Sequence, residues 1–448
     1  MNRIFFAVLL LLSPLDLFAQ APLLWELQED IDGGTDLARA ITLSGKSAVV
    51  VGNGGEPLEG TDESDFVIQA LSRANGTVQW SDQTFLSTGT IEPLYVTSRK
   101  GRAYAVGTLR GEPGDVRSAF LVRAYAVPTG TLLWENVWRA SSGVDGDHPT
   151  GILASPTQVV VIGYGENATH DGLAALVRAY HPITGEILWE DRVGSTGVEV
   201  IAWTIAANRH QIFVAGTVSP GGDPFRRDLF VRAYDASTGD LNWEISRPGI
   251  SPATMTLASG RLLVAGAAGS STFLAAFSAK TGASLWDDMV PTSGVILDIA
   301  VAGSRIAAAI SFGTVAVRAY SLMTGDLEWE DRRTISPGFF ENVGAVVLNE
   351  HTVYAAGSSG EFFGNSEFLV RAYDAVDGSL LWDDRSHAST MTAAVDLALG
   401  KFRLFVAGYT FDRSTGSDFL IRAYDVRSDV ADSRKQSRAV RQSTRAGR

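Results

Sequence analysis

Residues 233–243 read Ala-Tyr-Asp-Ala-Ser-Thr-Gly-Asp-Leu-Asn-Trp. The Thr-Gly pair in the middle predicts a tight turn between two strands, because Gly supplies the backbone freedom that a hairpin needs. Seven copies of this stretch occur, and in each a Gly precedes the Trp by four residues and an Ala precedes it by ten. Their tryptophans are Trp80, Trp134, Trp189, Trp243, Trp286, Trp329 and Trp382. A register kept through seven copies predicts a repeat protein.

A second element recurs upstream of each hairpin, an apolar run that usually ends in Gly. Its eight copies are residues 49–52, 104–107, 159–163, 213–216, 263–266, 306–310, 354–357 and 405–408. Each unit therefore reads as four short strands, two before the hairpin and two within it. Four-stranded units that recur every 40 to 55 residues or so are typical of propeller blades. The predicted fold is all-β, an eight-bladed β-propeller of four-stranded antiparallel blades.

The eighth unit is split between the two ends of the chain. It supplies residues 419–425 but no Trp, whereas residues 23–26, Leu-Leu-Trp-Glu, form an orphan Trp strand near the N-terminus. We expect this N-terminal strand to complete the last blade, because an open sheet edge invites aggregation.

A charge pattern accompanies the hairpins. An Arg stands just before most Ala-Tyr pairs, and an acid follows the corresponding Trp. The pairs are Arg123 with Glu135, Arg178 with Glu190, Arg232 with Glu244, Arg318 with Glu330, Arg371 with Asp383 and, across the closure, Arg422 with Glu26. Such positions are neighbours across a hairpin, so the pattern predicts cross-strand ion pairs. As exposed pairs they would contribute about 0 to 1 kcal/mol each to stability, so their main role would be to fix the register of the two strands.

The chain ends predict processing and location. A basic residue, a short apolar run and a small residue at Ala19 predict a signal peptide over 1–19, followed by the propeller over 20–428 and a basic tail over 429–448. The sequence has no Cys, so we expect neither disulfides nor a lipid anchor on Cys. No later run reaches 18 apolar residues, so no transmembrane span is expected after signal cleavage. The predicted location is periplasmic or extracellular.

The charge distribution bears on the partner. The net charge is -13, and the tail has six basic and two acidic residues, so it carries +4 and the rest carries -17. An acidic body argues against nucleic acid, whose binding depends on neutralising phosphates.

The string of residues 233–243 resembles the tryptophan-docking motif of PQQ-like (quinoprotein-like) propellers, and the resemblance covers roughly residues 22–428. It implies that Trp25 and the seven repeat tryptophans are structural and pack between neighbouring blades. The family includes quinone-dependent alcohol and sugar dehydrogenases, and also non-enzymatic scaffolds such as the propeller lipoprotein of outer-membrane assembly. The chain lacks the vicinal Cys pair of the former and the anchoring Cys of the latter.

Function is expected on the loops of one face, where two kinds of candidate occur. Acid and imidazole clusters suggest ligands or acid-base pairs, although solvated loops are the simpler explanation: Asp145, Asp147 and His148, and Glu166, His170 and Asp171. Loop aromatics and Arg suggest a partner interface, with plugged channel mouths as the alternative: Phe225, Arg226, Phe339, Phe340, Phe362 and Phe363. Short loops in blades 5 and 6 also suggest a low sector on this face. An acidic stretch over 30–36 resembles a Ca²⁺ loop but has Ile41 where such a loop needs Glu.

The leading hypothesis is therefore a binding module for a protein or glycan of the envelope or outside the cell, with no cofactor. One alternative is a PQQ-dependent oxidoreductase of alcohols or sugars that holds Ca²⁺ with loop carboxylates. Another is a polysaccharide-binding propeller that uses the loop aromatics.

Overall fold

The structure is a computed structural model. It describes residues 19–20, 22–31, 34–54, 65–84, 89–112, 115–140, 146–167, 169, 171–219, 227–291, 294–311, 315–332, 339–361, 365–386, 391–412, 416–427 and 429. Most of the predicted signal peptide and basic tail lies outside these ranges, so both remain predictions. The described part of the chain contains no helix with the length and apolar character of a membrane span.

The described residues form 34 strands. Three precede the first blade: β1 (Ala19–Gln20), β2 (Leu23–Glu29) and β3 (Gly34–Thr35). Blades 1 and 2 contain β4 (Leu37–Ser44), β5 (Ser47–Gly54), β6 (Asp65–Ser72), β7 (Val78–Thr84), β8 (Thr90–Arg99), β9 (Arg102–Glu112), β10 (Asp115–Ala126) and β11 (Thr131–Trp138). Blades 3 and 4 contain β12 (Asp147–Ala154), β13 (Val159–Glu166), β14 (Leu173–Tyr180), β15 (Ile187–Val193), β16 (Glu199–Ala207), β17 (Gln211–Ser219), β18 (Asp228–Asp235) and β19 (Leu241–Arg247).

The second half repeats this order. Blades 5 and 6 contain β20 (Ser251–Ala258), β21 (Arg261–Ala268), β22 (Ser271–Ser278), β23 (Ser284–Val290), β24 (Val295–Ala302), β25 (Arg305–Ser311), β26 (Val315–Ser321) and β27 (Leu327–Arg332). Blades 7 and 8 contain β28 (Phe339–Leu348), β29 (Thr352–Glu361), β30 (Ser366–Asp374), β31 (Leu380–Ser386), β32 (Met391–Leu399), β33 (Arg403–Asp412) and β34 (Gly416–Asp425).

Thirty-two of the strands form eight antiparallel four-stranded blades arranged as a closed ring, and the short strands β1 and β3 pair parallel with β31 and β34. Each blade runs from an inner strand A to an outer strand D, and each strand A touches the strand A of the next blade, including β32 against β4. β2 is the outer strand of blade 8, antiparallel to β34, with Trp25 opposite Ala423. The predicted eight-bladed propeller and its closure by the N-terminal strand are confirmed.

The hydrophobic core lies between blades rather than within them. Eight clusters of buried residues occur, and each combines residues of two neighbouring blades. Phe213 of blade 4, for example, shares a cluster with Phe273 of blade 5. A blade therefore buries its apolar faces only when both neighbours are in place.

Each outer strand also contacts the next blade through its Trp. The indole nitrogen of Trp189 donates to the carbonyl oxygen of Ala236, 3.3 Å away, in the turn between strands C and D of blade 4. Gly239 of the same turn lies against the indole ring, with φ 78°, and a Cβ added there would be 2.7 Å from Trp189 Cδ2. Gly is needed at this position for both its backbone conformation and its lack of a side chain.

The predicted cross-strand ion pairs are confirmed. Arg123 lies opposite Glu135 at 2.7 Å, and Arg422 lies opposite Glu26 across the closure at 2.6 Å. Their expected exposure is wrong for the arginines, because the side chain of Arg318 is 0% exposed and that of Arg371 is 1% exposed.

The burial of these arginines has a cause that the linear pattern did not reveal. They reach the preceding blade: Arg232 binds Asp191 at 3.2 Å, two residues after Trp189. The hydroxyl of Tyr234 donates to the same carboxylate at 2.8 Å. Burial raises the pKa of Tyr234 well above its usual value, and the charge of Asp191 adds to that rise. Where a repeat has this Arg and Tyr, they thus join two blades as well as two strands.

Two carboxylates on inner strands also link their own blade to the next blade of the ring. Asp298 of blade 6 accepts a hydrogen bond from the Val346 amide of blade 7 at 2.9 Å, and Asp396 of blade 8 accepts one from the Ile41 amide of blade 1 at 2.8 Å. Burial raises the pKa of Asp298 to about 7 against the opposing effect of the Val346 amide, and the charge of Asp396 adds to the rise. Burial likewise raises the pKa of Asp396 to about 6.

The Gly contact with the indole predicts a specific loss of stability. Replacing Gly239 by Ala adds strain from the left-handed backbone, about 1 to 2 kcal/mol, and a collision with Trp189 of about 1 to 3 kcal/mol. Gly303→Ala is the control, because Gly303 has φ 59° with nothing within 4 Å of an added Cβ. We expect urea unfolding to show a larger loss for Gly239→Ala than for Gly303→Ala. Equal losses of unfolding free energy in the two variants would contradict a collision between the added Cβ and Trp189.

The inner carboxylates predict a pH dependence. Both keep protons in the folded protein at pH values where the unfolded chain, with Asp pKa about 3.9, has released them. Their contribution to stability therefore falls as the pH rises from about 4 to about 7. We expect the drop in melting temperature between pH 5 and pH 8 to shrink in the Asp298→Asn, Asp396→Asn double variant. The control is Glu350→Gln, on an exposed turn, which should show the same fall in melting temperature as the native protein. An unchanged fall in the double variant would refute the assignment of the pH dependence to Asp298 and Asp396.

Candidate functional site

A polar cavity opens where blade 3 meets blade 4, on the face formed by the loops between strands B and C. Its volume is about 440 Å³. We call it the blade 3–4 pocket, and its lining residues are His148, Tyr164, Glu166, Asp171, Gly172, Leu173 and Glu199. They come from the start of β12, the end of β13, the start of β14 and the start of β16, all at the same end of their blades.

An aromatic wall forms one side of the pocket. His148 and Tyr164 are directly opposite each other in the antiparallel pair β12 and β13, so their side chains share one face of the sheet. Their rings stack with centroids 5.1 Å apart, and Tyr164 also contacts Trp203 at 6.1 Å. Burial raises the pKa of Tyr164, while the charge of Arg110 lowers it. Two aromatic faces in contact provide a flat surface for a planar or cationic group.

A loop held by its own side chains presents a carboxylate to the pocket. The hydroxyl of Thr169 donates to Asp171 Oδ1 at 2.6 Å, and the amide nitrogen of Asn167 donates to the same oxygen at 2.9 Å. These two hydrogen bonds lower the pKa of Asp171, because they favour the charged form. Asp171 is therefore an anion at neutral pH with its orientation set by the loop.

Two glutamates complete the lining. Glu166 is buried, and its backbone carbonyl accepts a hydrogen bond from the guanidinium of Arg192. Glu199 begins strand A of blade 4 and is half-buried, and its carboxylate has no hydrogen-bond or ion-pair partner within the described ranges. The pocket thus combines three carboxylates with an imidazole and a phenol. This arrangement suits a cationic group better than an anion.

The structure brings together two clusters that the sequence suggested separately. His148, expected beside Asp147, and Glu166, expected beside His170, line the same pocket. Asp147 has a different environment, because it is fully buried and its carboxylate accepts a hydrogen bond from the Ala140 amide at 2.5 Å. This contact holds the crossing from blade 2 to blade 3.

The other candidates lie apart from the pocket or cannot be placed. Phe339 and Phe340 begin β28 in blade 7, and the side chain of Phe340 is half-buried. The remaining candidates lie outside the described residues: Asp145, His170, Phe225, Arg226, Phe362 and Phe363. Blade 5 has the expected short turn between β21 and β22, but the blade 3–4 pocket is not in that low sector.

Sequence reasoning missed Tyr164, Trp203 and Glu199. Tyr164 directly follows the apolar run 159–163, and Trp203 lies outside the repeat pattern. Glu199 belongs to the following blade, so its distance along the chain from His148 hid their proximity. Its position at the start of a strand A, on the same face as the other candidates, was the available signal.

One group of side chains in the described part of the chain has the geometry to hold a metal ion. It consists of Asp30, Asp36 and Asp418, where β2 of blade 8 crosses to blade 1. Asp36 is fully buried and accepts a hydrogen bond from the Ile31 amide at 2.5 Å. Asp418 lies on the third strand from the axis, so the group is away from the central channel.

Comparisons with known proteins agree with this architecture. A family model described as outer membrane protein assembly factor BamB matches residues 118–294 and 173–396. Curated protein sequences include no match to the chain.

Solved structures resemble the chain over most of its length. BamB from Moraxella catarrhalis has a TM-score of 0.55 at 15% identity, over 90% of this chain and 99% of that one. Quinohemoprotein alcohol dehydrogenase from Comamonas testosteroni has a TM-score of 0.55 at 13% identity, over 89% and 76%. A europium-containing methanol dehydrogenase also scores 0.55 at 11% identity, over 89% and 93%.

These structural likenesses establish the fold alone, whereas the family model covers more than half of the sequence. The chain therefore belongs to the PQQ-like β-propeller family whose model is described as outer membrane protein assembly factor BamB.

Proposed function

We propose that this chain is a non-catalytic binding module of the periplasm or cell surface, and that its blade 3–4 pocket holds a cationic side chain of a protein partner. The observation that carries this proposal is the unpaired carboxylate of Glu199 in a cavity that also contains Asp171 and Glu166. Three carboxylates line one cavity, and a cation that enters it is attracted to all three.

The wall of the pocket favours a guanidinium. A planar cation is attracted to aromatic faces such as the stacked rings of His148 and Tyr164. Carboxylates beside these rings can accept the N–H donors of a guanidinium in pairs. An Arg side chain of the partner therefore fits this chemistry better than the compact ammonium of Lys.

Charge over the whole molecule supports the same kind of partner. Residues 1–428 carry -17 in total, and a field of one sign raises the association rate of an oppositely charged partner. The likeness to BamB extends over 99% of that chain, so the two share a whole-chain architecture. The description of the matching family model, outer membrane protein assembly factor BamB, supports a protein-binding role in the envelope.

A quinone dehydrogenase is the competing function, and the described residues do not fit its cofactor set. The carboxylates of Asp30, Asp36 and Asp418, whose geometry could hold a metal ion, lie away from the axis. The axial carboxylates Asp298 and Asp396 each accept two backbone amides. Their oxygens are already engaged in joining blades, which leaves them poor ligands for Ca²⁺.

The proposal predicts selective binding of basic peptides. We expect an Arg-containing peptide to bind the protein, and a Glu199→Gln, Asp171→Asn double variant to bind it about tenfold more weakly, which corresponds to about 1.4 kcal/mol. Fluorescence anisotropy at two salt concentrations measures both affinities. A Lys-containing peptide of equal length should bind less tightly, and an acidic one should not bind.

Two results would contradict the proposal. A variant with Glu350→Gln and Asp326→Asn, two exposed acids outside the pocket, removes the same charge, so an equal loss of affinity there would show non-specific attraction. The second result would come from adding PQQ and Ca²⁺ to the protein. A bound quinone chromophore together with dye-linked alcohol oxidation would overturn the non-catalytic assignment.

A further inference from the structure

A second cavity lies on the opposite face, where blade 8 meets blade 1. It is formed by the turns between strands A and B and between strands C and D, and its volume is about 440 Å³. We call it the seam pocket. Its chemically distinctive lining residues are Lys46, Arg73, Lys401, Phe402, Arg403 and Arg427.

The seam pocket concentrates positive charge in an otherwise acidic protein. Five cationic side chains line it, and no acidic residue does so within the described ranges. Two of the five lysines in the whole chain, Lys46 and Lys401, are among them. The nearby carboxylate of Asp425 forms an ion pair with Arg427 and also interacts with the charge of Arg403, so it offsets part of the charge of two of the five cations.

The repeat itself shows that Arg73 is not required by the fold. The equivalent residue in every other hairpin is apolar: Val127, Pro182, Ala236, Ala279, Leu322, Ala375 and Val426. The architectural role of the position belongs to its backbone, because the carbonyl of Arg73 accepts a hydrogen bond from the Trp25 indole at 3.4 Å. The Trp80 indole makes the same bond to the carbonyl of Val127. The guanidinium at position 73 is an addition to the repeat.

Lys46 shows the same departure. Its carbonyl accepts the amide of Arg73 at 3.0 Å, a bond that recurs in six other blades. The residues that supply this carbonyl in those blades are Gly101, His210, Gly260, Ser304, His351 and Phe402. Neither Lys nor Arg occurs among them, so blade 1 places two extra cations in adjoining turns.

Two of the cations, Arg73 and Arg403, are held in place before any ligand arrives. Arg73 lies over the ring of Phe405 at 5.3 Å and donates to the carbonyl of Gly45 at 2.9 Å. Arg403 donates to the carbonyl of Arg73. Burial lowers the pKa of Arg73, and the charge of Arg403 lowers it further. Like charges held together in this way favour the entry of an anion.

We propose that the seam pocket is a binding site for a phosphate group, either free or as part of a phosphorylated lipid headgroup. Arg guanidiniums match phosphate oxygens in pairs, and Lys ammoniums add point charges. The basic segment 429–448 of this chain carries +4, so it is repelled by the pocket. The site lies on the face opposite the blade 3–4 pocket and does not depend on the function proposed for that pocket.

Binding at the seam should stabilise the ring, because the ligand would contact blades 8 and 1 together and bind only the folded state. With pyrophosphate as the probe, we expect a saturable rise in melting temperature and a heat of binding by calorimetry at constant ionic strength. The Lys46→Gln, Lys401→Gln double variant should bind at least tenfold more weakly.

The control is Lys280→Gln combined with Lys100→Gln, which removes two exposed lysines from turns of the same face. This control should bind pyrophosphate as the native protein does. The far-ultraviolet circular dichroism of each variant, and its melting temperature without ligand, verify that the propeller has folded.

Flotation with phosphatidylglycerol vesicles and with phosphatidylcholine vesicles identifies the source of the phosphate. Binding to the anionic vesicles that pyrophosphate displaces identifies a lipid headgroup, and binding of soluble phosphate alone identifies a free ligand. Absence of saturable binding by either probe would overturn the proposal. Equal weakening in the Lys280 and Lys100 control would overturn it as well.

Discussion

The contact between each outer-strand indole and the turn of the next blade is the interaction on which this propeller depends. It repeats around the ring and includes the seam, where Gly76 lies against the Trp25 ring and an added Cβ would be 2.6 Å from it. Because the apolar clusters also lie between blades, no blade is stable alone. The N-terminal strand β2 therefore decides whether the eighth blade has an outer strand and whether the ring is closed.

Closure explains how the remaining polar contacts are arranged. In most repeats the Arg or the Tyr meets an acid of the preceding blade, as Tyr424 and Arg422 meet Asp384 at 2.7 and 3.2 Å. A buried charge is tolerated when it is paired and hydrogen-bonded, and here the pairing requires a neighbouring blade. The same scaffold leaves its loops free to differ. One face carries the acidic blade 3–4 pocket and the other carries the basic seam pocket, so the two would bind ligands of opposite charge.

The fold was predictable from sequence because it depends on spacing. The distance from Gly239 to Trp243 recurs in seven hairpins, and the orphan Trp25 accounts for the missing eighth. The site was less predictable, because it combines residues from two blades. Glu199 approaches His148 only after blade 4 packs on blade 3, and the burial of Arg318 follows from contacts with a preceding blade. Asp147 is the opposite case. Its position beside His148 suggested a loop ligand, but its carboxylate accepts a hydrogen bond from a backbone amide.

Hydrogen–deuterium exchange of the full-length protein tests closure most directly. In a closed ring, β2 is an outer strand bonded on one side to β34, as β19 is bonded to β18. The account predicts that peptides covering residues 23–29 exchange as slowly as those covering 241–247. Rapid exchange of residues 23–29, with residues 241–247 protected, would show an open blade 8 and contradict the closed eight-bladed ring.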